Sequence, residues 1–471
     1  EYDRVNRTAY SSMNQWTEAW TLENIKQHNP IALSTYFLET RLPLPAPATH
    51  RLANLSLHLL AAFLLLKVLE GLKLRGATAS AMVFALHPAV LQTLFWPGYR
   101  DELVGLVFIL ATLFFGIRQR DAKDFVLTLL LTLVSALMHP AALVIPLILA
   151  LCIFYQNNPA RLYHYNRVLP LFCISLFVGV WSYSGQAIQA NAGEIDGFAK
   201  AGQNLYFYLQ QSFFPFDTRL FHHFSEGRSY NVGAANSLLA FVIFIPFYVL
   251  IALNYRKRWA RALLLGLTSF LLLLSYGILQ TGRFIDGSLA KEAHAFYVAL
   301  PAAVAIAFCG AAGFLAQKKA FGQVLWRAFF AIFLLVQFGL TASASYAVSH
   351  SPRMWQRMAE QWETSWHPKA ALLASVRASG SDLLTQSEMI RTLEEILEAK
   401  PDRHRARIDL ARLYVEAEQS TNALREYRRI LRDTQPGDEF LKEAADFFDS
   451  LNLQWEANNT RERMNRSSAP Q

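Results

Sequence analysis

Between residues 51 and 346 the chain passes through one apolar stretch after another, each about 15 to 21 residues long and each closed by charge, proline or a polar loop. A helix needs about 20 such residues to cross a hydrocarbon layer, and fewer where its ends are buried in protein. The stretches predict ten spans, at 51–71, 77–95, 102–117, 125–139, 140–155, 168–184, 235–254, 262–280, 296–315 and 326–346.

Composition sharpens this reading. The 471 residues are 53% hydrophobic and only 17% charged, whereas a soluble chain averages about 25% charged. The deficit is regional, so a membrane part is joined to a soluble one. The expected organisation is an outer loop with interfacial helices at 1–50, a multi-span membrane domain at 51–348 and a soluble helical domain at 349–471. The fold class is therefore all-α, a polytopic helical membrane domain followed by a helical-repeat domain.

A net charge of +8 and a pI near 9.3 do not point to nucleic acid. The basic residues sit mainly in short loops between apolar runs and in the tail. "KLRG", "IRQRDAK", "NNPARLYHYNR", "NYRKRWAR" and "QKKAFGQVLWR" follow every second span. By the positive-inside rule these loops are cytoplasmic. Residues 1–50, the 96–102 turn, the 185–234 and 281–295 loops and the C-terminal region then share the opposite side. A further span before Glu1 would place the native N-terminus in the cytoplasm. Cys152, Cys173 and Cys309 all lie inside apolar runs and imply no disulfide framework.

The outer segments differ in character. Residues 1–50 are rich in Trp, Tyr, Asn and acids, as in a structured loop with one or two short helices at the interface. "AGQNLYFYLQQSFFPFDTRLFHHF" mixes aromatics with Asp217, Arg219, His222 and His223, a composition suited to the headgroup region. After Ser349 the pattern becomes that of paired helices. Leu410, Ala411, Tyr414, Ala423 and Tyr427 fall at the spacing of a tetratricopeptide repeat, and Pro401 to Pro436 frames one unit. One repeat cannot bury its own face. Degenerate units are expected before and after it, giving two to three helical pairs.

"FWPGYRDELVGLVFILATLFFG" poses the functional question. Arg100, Asp101 and Glu102 stand at the mouth of an apolar run. They either cap and snorkel at a span end or hold a reacting group at the surface.

Taken in order, "THRLANLSLHLLAAFLLLKVL", "ALHPAVLQTLFWPGYRDELVGLVF", "KAGQNLYFYLQQSFFPFDTRL" and "AFYVALPAAVAIAF", with the repeat-like tail, resemble the multi-span glycosyltransferases of the GT-C superfamily that carry tetratricopeptide repeats. That group includes the TMTC O-mannosyltransferases and bacterial relatives. The resemblance implies transfer of a sugar from a polyprenyl-phosphate carrier to an acceptor, a polypeptide above all, outside the cytoplasm. It implies a carboxylate that takes the acceptor proton, with Asp3, Glu102 and Asp101 as candidates. It implies cationic groups for the carrier phosphate, with Arg100, His139, Arg283 and Lys291 as candidates, and Glu1, His87 and Glu292 as further ones. A divalent metal is compatible with it, with its ligands unassigned. The expected partners are membrane lipid, the lipid-linked sugar and a polypeptide held by the repeats, with no nucleic acid. The expected location is a bacterial inner membrane, with the outer loops and tail in the periplasm.

The chain departs from the family pattern in three places. Asp3 is followed by Arg4 rather than a second acid. Met138, His139 and Pro140 stand where Lys-Glu is common, and Ala295 and Phe296 where an acid-Arg pair is common. The competing reading is a degenerate relative that keeps the fold and uses its repeats as a scaffold. A transporter or polymerase is the remaining alternative.

Overall fold

The computed structural model describes residues 13–18, 20–21, 30–42, 46–95, 99–118, 121–156, 165–183, 202, 205–212, 221–224, 234–279, 284–285, 288–292, 296–315, 320–349, 351–361, 366–434 and 436–467. It divides into two compact units, Glu1–Ser345 and Tyr346–Gln471.

Among the described residues, the first unit begins with the short helices α1 (Met13–Glu18) and α2 (Pro30–Glu39). The apolar helices follow as α3 (Ala46–Gly71), α4 (Ala77–Leu86), α5 (Leu91–Phe95), α6 (Arg100–Arg118), α7 (Ala122–Met138) and α8 (Ile145–Gln156). After them come α9 (Val168–Tyr183), α10 (Ala234–Leu253), α11 (Arg258–Leu279), α12 (Leu300–Leu315) and α13 (Ala320–Ser349). All ten apolar runs fall on these helices. Among the described residues, three segments are long and apolar enough to cross a membrane: Thr49–Gly71, Arg258–Ser275 and Gln323–Ser343. A fourth is added if the bent pair Ala77–Leu86 and Pro88–Phe95 counts as one span.

Histidine-proline pairs account for two of the breaks that keep the others short. The residue before a proline is pushed out of helical geometry. His87 (φ −69°, ψ 125°) and His139 (φ −147°, ψ 129°) are both extended. Each imidazole then accepts the backbone N–H two residues on, from Ala89 at 3.3 Å and Ala141 at 3.1 Å, and starts a short 3-10 turn. So the expected span at 77–95 is broken near its middle, and His139 sits between two helical pieces.

The expectation of an all-α chain is corrected at one point. The loops read as 185–234 and 281–295 contribute β1 (Phe221–Phe224), β2 (Phe284–Ile285) and β3 (Ser288–Glu292). They form an antiparallel sheet in the order β1-β3-β2, with His222 opposite Lys291 and Phe221 opposite Glu292.

The core of this unit is aliphatic and aromatic. Leu103, Leu106 and Ile109 from α6, Phe84 from α4, Ile145 from α8 and Phe296, Tyr297 and Leu300 around the start of α12 are all fully enclosed. Polar contacts between α6 and α7 are small and local. Thr112 and Ser135 meet at 3.0 Å, and each also bonds a carbonyl of its own helix four residues back, as membrane helices commonly satisfy hydroxyls.

The second unit is a run of helices: α14 (Ser351–Gln361), α15 (Trp366–Ser379), α16 (Gln386–Ala399), α17 (His404–Glu416), α18 (Ser420–Asp433), α19 (Asp438–Ser450) and α20 (Gln454–Ser467). A period runs through it. The helices that begin at Gln386, Ser420 and Gln454 start 34 residues apart, as do those that begin at His404 and Asp438. The turn residues Glu418 and Asn452, both at positive φ, are 34 apart as well. Leu410, Ala411, Tyr414, Ala423 and Tyr427 are all buried, and so are the counterparts of the first four one period on, Ala444, Ala445, Phe448 and Ala457. Tyr427 stacks on Phe440 at 5.3 Å, joining α18 to α19. Thr385 and Glu388 form a capping box at the start of α16.

Glu443 ties this unit together. It accepts from Arg412 Nη2 and from the Tyr427 hydroxyl, each at 2.6 Å. Burial pushes its carboxyl up, but these hydrogen bonds and the Arg412 charge outweigh burial and hold it below its ordinary value. A carboxyl depressed by folding adds stability above its unfolded pKa, and that stability is lost as pH falls through the folded value. Glu443→Gln is therefore expected to flatten the acid limb of stability. Urea unfolding of the full chain in detergent between about pH 5 and about pH 3 checks this; equal pH slopes for variant and wild type exclude it.

Candidate functional site

The polar residues of the first unit gather where α2, α3 and α6 meet. Arg100 is the first residue of α6 and is 1% exposed. Its Nη1 pairs with Glu39 Oε1 and bonds Thr35 Oγ1 at 2.9 Å. Its Nε bonds Asn54 Oδ1, its Nη2 reaches the His50 carbonyl at 3.3 Å, and the guanidinium lies 4.7 Å from the Tyr36 ring centre. Glu39, at 7% exposure, also bonds His50 Nδ1. Asn54 is itself fixed, because its amide donates to the Leu94 carbonyl at 2.9 Å. The sequence reading offered Arg100 to a carrier phosphate. The structure gives its guanidinium an internal carboxylate instead.

Two residues further along, Glu102 meets His139. Glu102 Oε2 lies 2.8 Å from His139 Nε2, with both residues buried. The Ala141 N–H donates to His139 Nδ1. In the neutral imidazole that leaves the proton on Nε2, so His139 donates to the Glu102 carboxylate. The ring needs Gly105 beside it: a Cβ there would stand 2.7 Å from His139 Cβ. Asp101 and Glu102 occupy the first turn of α6, where the helix dipole favours negative charge. Asp101 acts on His139 through its charge.

Two more histidines complete the buried polar set. His58 Nδ1 lies 2.8 Å from the Tyr297 hydroxyl and its Nε2 is 3.2 Å from the Ala85 carbonyl. His87 Nε2 is 3.2 Å from the Ser212 carbonyl, with its Nδ1 capping Ala89. Both rings hold backbone in place.

Of the residues predicted for the site, the fold brings Glu102 and His139 together, with Arg100 and Asp101 beside Glu102 on the first turn of α6 and Arg100 paired with Glu39. His87 serves the cap just described. Lys291 and Glu292 lie on β3 with the register given above. Asp3, Glu1 and Arg283 lie outside the described residues. Sequence reasoning missed Glu39, Thr35, Tyr36, His50 and Tyr297. Two signals pointed toward the cluster: a lone acid, Glu39, ends an otherwise uncharged helix, and Asn54 and His58 interrupt an apolar one.

Among the described residues, no group of three or more His, Cys, Asp or Glu side chains is placed to hold a metal ion. What the arrangement supplies is two buried carboxylates near a helix end, one held by a guanidinium and one by an imidazole. Ionisable side chains inside an apolar bundle are costly and mark functional sites by default.

No family model matches this chain, no curated protein matches it, and no solved structure matches it.

Proposed function

We propose that the chain is a membrane glycosyltransferase that moves a sugar from a polyprenyl-phosphate carrier to an acceptor, a polypeptide above all, on the non-cytoplasmic side. The observation that carries the reading is the buried pairing of Glu102 with His139 at the start of α6, two residues from the buried Arg100–Glu39 pair. The sequence resemblance supports it independently. In this reading all ten apolar runs span the bilayer, the shorter ones with their ends buried in protein. The membrane is a bacterial inner membrane, with the outer loops and the tail in the periplasm. The tail, with its 34-residue period, is a set of tetratricopeptide repeats that holds the polypeptide.

The chemistry is a displacement at the anomeric carbon. The acceptor oxygen forms the new bond, the carrier phosphate leaves with the electron pair, and a carboxylate takes the acceptor proton. Asp3 is the proposed base, with Glu102 close to the same chemistry. We assign Arg100 to fixing the cluster through Glu39, and the departing phosphate to Arg283 and Lys291.

A specific observation favours a second reading. Arg100 and His139 spend their hydrogen bonds on protein groups, as in a scaffold that has lost its substrates. The two readings part on Asp3→Ala in the full chain. A transferase loses sugar transfer while melting in detergent is unchanged. Deletion of 350–471 lowers transfer to polypeptide acceptors. In a scaffold Asp3→Ala is silent, and the deletion loses a partner that survives detergent extraction and buries at least ~1,000 Å². A silent Asp3→Ala, together with unchanged glycosylation in a full knockout, removes the enzyme reading.

A further inference from the structure

A cavity of about 1000 Å³ lies in the first unit, away from the acid-imidazole cluster, lined from α3, α6, α8, α11 and α12. Its body is hydrocarbon, with Leu65, Leu69, Leu106, Leu110, Ile148 and Leu273 among the walls. Lys73 and Arg75, just past the end of α3, and Arg258, the first residue of α11, also line it and are exposed. No carboxylate lines the cavity among the described residues. Arg258 leans on Tyr155, its Nε 3.4 Å from the hydroxyl, and Trp259 stands beside it, half in solvent.

Two details show that this mouth is built. Lys73 is held at φ 53° and Gly76 at φ 83°. The Gly76 turn lies so close to α12 that a Cβ there would stand 2.7 Å from the Phe308 carbonyl oxygen. The turn that presents the cations is therefore locked to a neighbouring helix. Inside, Ser269 is among the lining residues, with its hydroxyl oxygen turned away from the open space.

We infer that this cavity holds a lipid with an anionic phosphate head, its hydrocarbon chain in the apolar body and its phosphate among Lys73, Arg75 and Arg258. A free phosphate has no use for the apolar walls. A neutral lipid leaves three cations without a counter-charge. Basic pockets between membrane helices are general sites for phosphate-headed lipids. By the alternation of charged loops this mouth faces the cytoplasm, so the site is separate from the proposed transfer site. The inference does not rest on the transferase reading, since a scaffold would hold such a lipid equally well.

Native mass spectrometry of the full chain in detergent tests it, with phosphatidylglycerol, undecaprenyl phosphate and phosphatidylcholine added in separate arms. One copy of an anionic lipid is expected to be retained, roughly 100-fold more tightly than phosphatidylcholine, given about 1 kcal/mol per basic residue. The stronger of the two anionic arms names the source. The K73Q/R75Q/R258Q variant is expected to fall to the phosphatidylcholine level. Ala305→Trp, which keeps the cations and fills the cavity, is expected to lose the lipid too. Arg118→Gln with Lys123→Gln, exposed cations elsewhere, is expected to change nothing. Should the triple variant melt at lower temperature, Arg75→Gln alone still reads out, at about a fivefold loss. Retention of phosphatidylcholine as tightly as either anionic lipid overturns the inference. So does full retention by the triple variant or by Ala305→Trp.

Discussion

Arg100→Met is expected to lower the stability of the first unit by about 3 to 5 kcal/mol, the range for breaking a buried ion pair from one side. The side chain is fully enclosed, so its removal admits no water to replace it. Glu39 would be left charged and buried beside His50, and Asn54, Thr35 and the His50 carbonyl would each lose a donor. Arg100→Lys is not expected to rescue, because an ammonium cannot present a planar fork to acceptors on two different helices. Removing both charges is another matter. Replacing a buried pair by apolar residues of similar volume is often neutral or stabilising, so Arg100→Met with Glu39→Leu is expected to recover most of the loss. Thermal unfolding in detergent, run as a double-mutant cycle, measures the coupling. A single Arg100→Met that melts with wild type means the pair carries no structural weight.

The same residues show what could and could not be read from the sequence. The apolar runs gave the helices because each run is local and long. The tail gave its repeat because small and aromatic residues recur at fixed spacing, and the burial of Ala411, Ala423 and Tyr427 follows from that spacing. Arg100, Asp101 and Glu102 were legible as charges in the wrong place for a span. Their partners were not. Glu39 lies 61 residues before Arg100, and His139 lies 37 after Glu102, and nothing local in sequence marks either pairing. The sheet escaped for the same reason: β1 and β3 come from loops about 70 residues apart, and neither alternates strongly. The break at His139 and Pro140 falls on the boundary read between 125–139 and 140–155, whereas the break at His87 and Pro88 was not read. The 77–95 run keeps its hydropathy through His87 and Pro88 while its backbone does not stay helical.

Glu102→Gln separates a working carboxylate from a structural one. The amide oxygen of glutamine can still accept from His139 Nε2, so the bond that fixes the ring is retained and the fold is expected to survive. What is lost is the negative charge and the ability to take a proton. A positioned base contributes about 10² to 10⁴ in rate. If Glu102 shares in deprotonating the acceptor, transfer from a polyprenyl-phosphate sugar is expected to fall by that factor with melting unchanged. If Glu102 only anchors His139, transfer is expected to stay within about twofold of wild type, a change far below the contribution of a positioned base. His139→Phe is the companion variant. It leaves Glu102 buried without its donor, so it is expected to cost stability on the scale of a broken buried pair, about 3 kcal/mol or more, and to lose activity through the fold. Only the pattern of a stable Glu102→Gln with lost transfer assigns the carboxylate to the reaction. A Glu102→Gln that melts as early as His139→Phe shows instead that the charge itself, set against the first turn of α6, holds this end of the bundle together.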